Sequence, residues 1–209
     1  MDHRPSSLTD KLQRLIELAA TQAGHFTAAQ AREVGYSARS LVYHVDTGHL
    51  DRVGRGFYRL RGLPEDPHED VVTAWLRFRT RQAVVSHDTA LTLYELAPSR
   101  SQEIHLTLPR KKRPRGAKSI PGLSLHTTVV PLRRAEVSRR FGVALTSPAR
   151  TIVDVASAGG DPSVVTEAVT HAVGTGLVSR TELRRAANHR SVRVRELVSR
   201  AIEEVQPGA

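Results

Sequence analysis

The chain reads as an α+β protein: an N-terminal winged helix-turn-helix, then an α+β domain with a small sheet and a helical C-terminus. Three observations predict it. Residues 8–47 carry three helical segments separated by glycine, and residues 50–60 read as a hairpin with glycine on both sides of its tip. Beyond two closely spaced prolines at 64 and 67, short apolar runs give way to helical periodicity toward the C-terminus. At 209 residues, two domains are expected, with 1–62 and 69–209 joined by a linker over 63–68.

In the first helix, Leu8, Leu12, Leu15, Ile16 and Ala19 recur at helical spacing, with Ser7 or Thr9 as N-cap and Gly24 as its end. Thr27 caps a second helix over 28–34, after which Gly35-Tyr36 turns the chain. Ser37 caps a third helix over 38–47, ended by Gly48. Leu50 to Val53 and Phe57 to Leu60 pair across Gly54-Arg55-Gly56, with glycine where positive φ is required.

In the second domain a helix spans 70–81, a short strand 83–85, and Ser86 caps a helix running to Leu96. Further strands are expected over 103–108, 123–130 and 142–145, and the basic loop 109–122 lies between the first two of these. Ser147-Pro148 opens a helix to Ser157, and three more helices cover 162–173, 180–187 and 192–205. The third of these four starts with the capping box Ser179-Arg180-Thr181-Glu182.

The order helix, helix, turn, helix, hairpin is the plan by which a third helix enters the DNA major groove and a wing lies along the backbone. Leu41 and Val45 face the core with Leu50, which leaves a polar side to the third helix. There Arg39 has the fork that reads guanine, while Ser37 and Ser40 suit phosphate or short base contacts. Tyr43 can donate to a phosphate or touch a thymine methyl. His44 can do either, with a charge that is pH-sensitive near neutrality. The start of the second helix at Thr27 offers backbone N–H groups to a phosphate. Arg52, Arg55 and Arg59 place cations on the wing, with Arg55 at its tip aimed at the minor groove or backbone. Each of these residues has a bland alternative as a solvated helix or turn side chain; the intact order of elements favours the functional one.

The formal charge is +10, from 31 basic and 21 acidic residues, and all but four of the basic residues are arginine. A basic surplus favours polyanions, although a GC-rich genome produces the same arginine bias. Arg110, Lys111, Lys112, Arg113, Arg115 and Lys118 concentrate that charge in the loop 109–122. Such a run is usually a solvated loop, and a secondary contact to DNA or an acidic partner is its functional alternative.

Cysteine is absent, which excludes disulfides and thiolate zinc sites. The ten histidines form neither H-x-H nor H-E-x-x-H, so they are read as scattered, and neither metal nor cofactor is expected. No phosphate-binding G-x-x-x-x-G-K-[ST] loop or G-x-S-x-G elbow occurs. Ser86-His87-Asp88 has triad residue types, but sequence neighbours do not converge as a triad must, and a helix start explains them. No enzymatic activity is expected. Neither is a secretory signal or a membrane span, so a cytoplasmic location is expected.

Gly56-Phe-Tyr-Arg, Val84-Val-Ser-His-Asp-Thr-Ala-Leu, Leu93-Tyr-Glu-Leu, Ile104-His-Leu-Thr-Leu-Pro and Ala144-Leu-Thr-Ser-Pro-Ala-Arg-Thr-Ile-Val-Asp follow one another in this order. That succession resembles the AbiEi family of antitoxins from bacterial abortive-infection toxin–antitoxin systems, over about residues 8 to 200. The resemblance implies a winged helix that represses its own operon at inverted repeats in double-stranded DNA, as meeting monomers or as a dimer. It also implies a second domain that counteracts a nucleotidyltransferase-like toxin, directly or indirectly. The alternative is a stand-alone winged-helix regulator without a toxin partner. The motif residues have structural explanations too: Arg150 and Asp154, four apart, can pair across one helical turn.

Overall fold

The computed structural model describes residues 8–98, 101–114 and 120–205, with the side chains of Leu8 and Thr9 excepted. Ser7, one of the two expected caps of the first helix, lies outside them, as do Arg115 and Lys118 of the basic loop. The chain divides into two compact units. One holds the residues through Arg77 together with Phe141–Val143; the other holds Phe78–Arg140 and the residues from Ala144 onward. The proline-rich stretch expected as the linker thus falls inside the first unit.

The first unit begins with α1 (Leu8–Ala20), β1 (His25–Thr27), α2 (Ala28–Glu33) and α3 (Ala38–Asp46). β2 (Leu50–Gly54) and β3 (Phe57–Leu60) form the hairpin, and α4 (Glu69–Phe78) follows. Thr9 lies inside α1 and so is not its cap. β3 sits at the centre of an antiparallel sheet of order β1-β3-β2, with Phe26 opposite Tyr58 and Leu50 opposite Leu60. The pairing shifts between Arg52 and Gly54, a bulge at Val53, and Gly56 turns the tip at a φ of +73°.

Leu15, Ala19, Phe26, Ala31, Leu41, Leu50 and Tyr58 form the core beneath these elements. Leu15, Ala19, Leu41 and Leu50 follow the helical and strand periods, whereas Leu12 is 45% exposed. Three buried polar side chains tie α1, β1 and α2 together. Gln30 donates to Gln22 at 2.9 Å, Gln22 donates to the carbonyls of Leu18 and His25, and His25 Nδ1 lies 2.9 Å from the Ala23 carbonyl. Each of these three side chains therefore has a partner, as close packing requires. Gly142, also in this unit, adopts a φ of +72°, and a Cβ there would fall on the carbonyl oxygen of Thr21.

The second unit is built on a five-stranded sheet of order β6-β5-β4-β8-β7, from β4 (Val84–Val85), β5 (Ile104–Pro109), β6 (Leu123–Thr128), β7 (Val137–Arg140) and β8 (Val143–Thr146). β5 runs antiparallel to β4 and parallel to β6, and β4 and β8 are parallel. α5 (His87–Leu93), α6 (Pro148–Ser157), α7 (Pro162–Gly174), α8 (Arg180–Ala187) and α9 (Val192–Glu204) complete the unit. Their buried faces supply Leu91, Ile152, Val169, Leu183 and Ile202 to the core.

Ser179 and Glu182 form the expected capping box, and Arg150 pairs with Asp154 at 2.8 Å. Asp154 also meets Arg190 at 2.7 Å, and Arg150 reaches Glu136 at 2.9 Å. This network is structural: it joins α6 to the loops before β7 and α9, and only 6% of the Asp154 side chain is exposed. Burial pushes the Asp154 carboxyl above its ordinary range, against the pull of the two guanidinium groups.

Candidate nucleic-acid interface

α3 begins at Ser37, whose side chain accepts from the Ser40 N–H at 3.0 Å, while the Ser37 N–H donates to Ser40 Oγ at 2.8 Å. This reciprocal cap sets the start of the helix and so the rotation of its faces. Leu41 turns into the core and Val45 packs against it. The opposite side presents Arg39, Val42, Tyr43 and Asp46 to solvent, with Val42 54% and Tyr43 61% exposed. The nine residues of the helix span about 13–14 Å, enough to cross a major groove about 12 Å wide.

Val42 is not among the residues expected to touch DNA. Its signal was there: once Leu41 and Val45 face inward, position 42 falls beside 39, 43 and 46 on the helical wheel. An exposed β-branched side chain there offers an apolar contact of the kind a thymine methyl accepts.

The hydroxyl groups expected to touch phosphate are used otherwise. Ser40 Oγ donates to the Ser37 carbonyl at 2.9 Å in addition to its role in the cap. Thr27 Oγ1 accepts from the Gln30 N–H at 3.1 Å, and the Gln30 side chain returns to the Thr27 N–H at 2.9 Å. The Ala28 N–H donates to the carbonyl of Gly56 at 2.9 Å, which fastens the wing tip to the start of α2. Ser37, Ser40 and Thr27 therefore hold the helices in place, and the α2 N-terminus has fewer free N–H groups than expected.

His44 is half-buried among rings, 5.6 Å from Tyr36, 5.4 Å from Tyr43 and 5.8 Å from His49. Burial, with a smaller contribution from His49, lowers its pKa below the ordinary 6.5. The expected charge change near neutrality is thereby moved to more acidic pH.

On the wing, Arg52 and Arg55 are exposed. Arg59 is not presented with them. Its side chain, 17% exposed, lies 3.6 Å from Glu69 and donates to the carbonyls of Leu63 at 3.3 Å and Pro64 at 3.5 Å. The reason is register: Arg59 stands on the central strand, opposite both His25 and Asp51, and cannot hang from an edge. Arg61 is exposed but paired with Asp51 at 2.6 Å.

In the second unit the basic run is not a plain loop. Arg110–Lys112 forms a 3-10 turn, and the Lys112 carbonyl accepts from Arg81 at 3.0 Å. Arg110, Lys111 and Arg113 are exposed, and Lys112 is half-buried.

Elsewhere in the same unit, three histidines read as scattered converge. His87 opens α5, His105 lies on β5 and His126 on β6, and each offers a ring nitrogen within 4.8 Å of the others. The register of β5 and β6 sets Thr107 beside His126 and His105 beside Ser124, so these side chains share one sheet face. His105 Nδ1 and His126 Nε2 are 3.0 Å apart, and the rings of His87 and His126 stack at 3.6 Å. Burial, then the neighbouring imidazoles, lowers His87 to about 3; burial and then His105 lower His126 to about 4. Burial lowers His105 as well, so at all three rings the shift is toward the neutral form. No short-range spacing announces the cluster, because the three come from separate elements, His105 and His126 being 21 residues apart.

Among the described residues no helix is long and apolar enough to cross a membrane. None of the curated proteins matches the chain. The fold is similar to the crystal structure of the RV2827C protein from Mycobacterium tuberculosis, at a TM-score of 0.56 and 16% identity, covering 97% of this chain and 78% of that one. Residues 13–61, from α1 to the end of the wing, match the family model described as "Transcriptional regulator, AbiEi antitoxin". This segment of the chain is thus similar to the AbiEi antitoxin family of transcriptional regulators, the family that the chain's motifs resemble.

Proposed function

We propose that the chain binds double-stranded DNA through α3 and the β2–β3 wing, and represses its own operon at inverted repeats. The observation that carries this reading is the division of α3 into two faces. Leu41 and Val45 are committed to the core, Arg39, Val42 and Tyr43 are exposed, and the hairpin that follows carries the exposed Arg52 and Arg55. In this reading Arg39 reads a guanine edge, Val42 and Tyr43 meet a thymine methyl or a phosphate, and Arg55 at the tip holds the backbone or minor groove. Ser37, Ser40 and Thr27 act by positioning the two helices. His44 contributes packing rather than charge.

The same reading makes the second unit the part that opposes a nucleotidyltransferase-like toxin, in the cytoplasm, and assigns the chain no catalytic step of its own. What supports it is the family description of the first unit together with the order of motifs running to Asp154.

The DNA half is tested by footprinting and titration on the DNA preceding the chain's own gene. A protected inverted repeat is expected, bound at least about 1000-fold more tightly than random duplex at physiological salt. Equal binding to both would sink the operator assignment. The toxin half is tested by co-expression: relief of the growth arrest caused by an adjacent nucleotidyltransferase-like gene is expected, and persistent arrest contradicts it.

A further inference from the structure

We propose that His87, His105 and His126 form a binding site for one divalent transition-metal ion of the zinc type, with a fourth position left to water. The donor set selects the ion. Three imidazoles with neither thiolate nor carboxylate suit Zn²⁺ and its borderline neighbours Co²⁺, Ni²⁺ and Cu²⁺, and suit Mg²⁺ or Ca²⁺ poorly. The spacing is close to what such an ion needs. Metal–nitrogen bonds of about 2.0–2.1 Å place tetrahedral nitrogens about 3.3 Å apart, and His105 Nδ1 already stands 3.0 Å from His126 Nε2.

The surroundings are those of a built site. His87 Nδ1 is held by Ser86 Oγ at 2.9 Å, and Ser86 Oγ in turn accepts from Thr107 at 2.8 Å. His105 Nε2 is held by Ser101 Oγ at 3.0 Å. Such partners on the far ring nitrogen fix the tautomer and leave Nε2 of His87 and Nδ1 of His105 for the metal. The backbone is set as well: the Ser86 N–H donates to the His105 carbonyl at 3.0 Å, and the His105 N–H donates to Thr89 Oγ1 at 2.9 Å. His87 itself adopts a φ of +51°, a left-handed conformation costly for a residue with a Cβ and common where a side chain must be aimed. Entry is open from the side of His105 and His126, which are only partly buried.

One movement is required. The stacked rings of His87 and His126, at an interplanar angle of 14°, must tilt so that their in-plane lone pairs converge. A bound ion then clamps the start of α5 to the β5–β6 edge of the sheet.

The test uses the untagged full chain, stripped with chelator and titrated with Zn²⁺ by calorimetry and with Co²⁺ by visible absorption. One equivalent of Zn²⁺ is expected, together with the intense visible bands of tetrahedral Co²⁺. His105→Gln and His126→Gln are each expected to weaken binding about 100-fold or more, while the exposed pair His171→Gln/His189→Gln leaves it unchanged. Zn²⁺ uptake that survives His105→Gln and His126→Gln, or that disappears with His171 and His189, overturns the assignment. If the two site variants do not fold, the wild-type Co²⁺ spectrum decides: tetrahedral bands support the site, and a purely octahedral spectrum or no uptake overturns it.

Discussion

Ser37 and Ser86 precede helices in the same way in sequence, and the structure uses them differently. Ser37 closes a reciprocal cap with Ser40, three residues on, in a surface helix whose outer face is left free. Ser86 makes no side-chain cap bond; it is fully buried and joins His87 to Thr107 on a neighbouring strand. In the first region the polar groups organise the backbone locally, and the functional face is what remains exposed. In the second, polar groups from three elements are gathered inward, and the candidate chemistry is what has been enclosed.

Positive-φ glycines break this comparison most sharply. Gly142→Ala meets both a disfavoured φ and the Thr21 carbonyl, so it should cost more than about 3 kcal/mol in urea unfolding. Gly56→Ala at the wing tip has nothing within 4 Å of the added carbon and should cost only the conformational penalty of about 1–2 kcal/mol. Equal costs would mean that the Thr21 contact is easily relieved.

The serines come next. Ser86→Ala strips two buried partners and should destabilise by about 1–3 kcal/mol. Ser37→Ala, a lost exposed cap, should cost about 1 kcal/mol. A reversed order, measured by the same denaturation, removes the distinction between local and enclosed polar groups.

The wing offers a subtler pair. Arg55→Ala should reduce the slope of log affinity against log salt by about one without changing stability. Arg59→Ala should do the opposite, lowering stability through its lost contacts to Glu69, Leu63 and Pro64 and leaving the salt slope unchanged.

The smallest effect concerns pH. His44 has a depressed pKa in the fold, so the stability it contributes is present above the ordinary value of 6.5 and is lost as pH falls through the folded value. Any dependence of DNA affinity on the charge of His44 should therefore lie at more acidic pH than that of an ordinary imidazole, and His44→Ala should leave binding at about pH 7.5 unchanged. A new pH dependence seen only in wild type would place a titrating imidazole at the interface.

What could be read from the sequence follows the same divide. The ends of α2, α3 and α8 were legible because Thr27, Ser37 and Ser179 act on N–H groups within three residues. The hairpin was legible because its tip is two residues long and needs glycine at 56. β1 was missed: three residues set no period, and what makes them a strand is β3, thirty residues on. β7 was missed for a related reason, as an edge strand with two arginines and little burial. Arg59 groups with Arg52 and Arg55 as a wing cation when the hairpin is read alone, whereas β1 makes β3 the central strand. The histidine cluster depends on parallel pairing of β5 with β6 and on the left-handed turn at His87, and neither leaves a short-range spacing.

The most direct test of the proposed DNA grip combines Arg39→Ala, Arg52→Ala and Arg55→Ala in one chain and measures affinity for the chain's own upstream DNA across a salt series. Because none of the three is buried, the unfolding midpoint should match wild type. The log–log salt slope should fall by up to about two, from Arg52 and Arg55, and the preference for the operator over random duplex should shrink at the base read by Arg39. A triple variant that binds with wild-type affinity, slope and preference would contradict the assignment of this face to DNA.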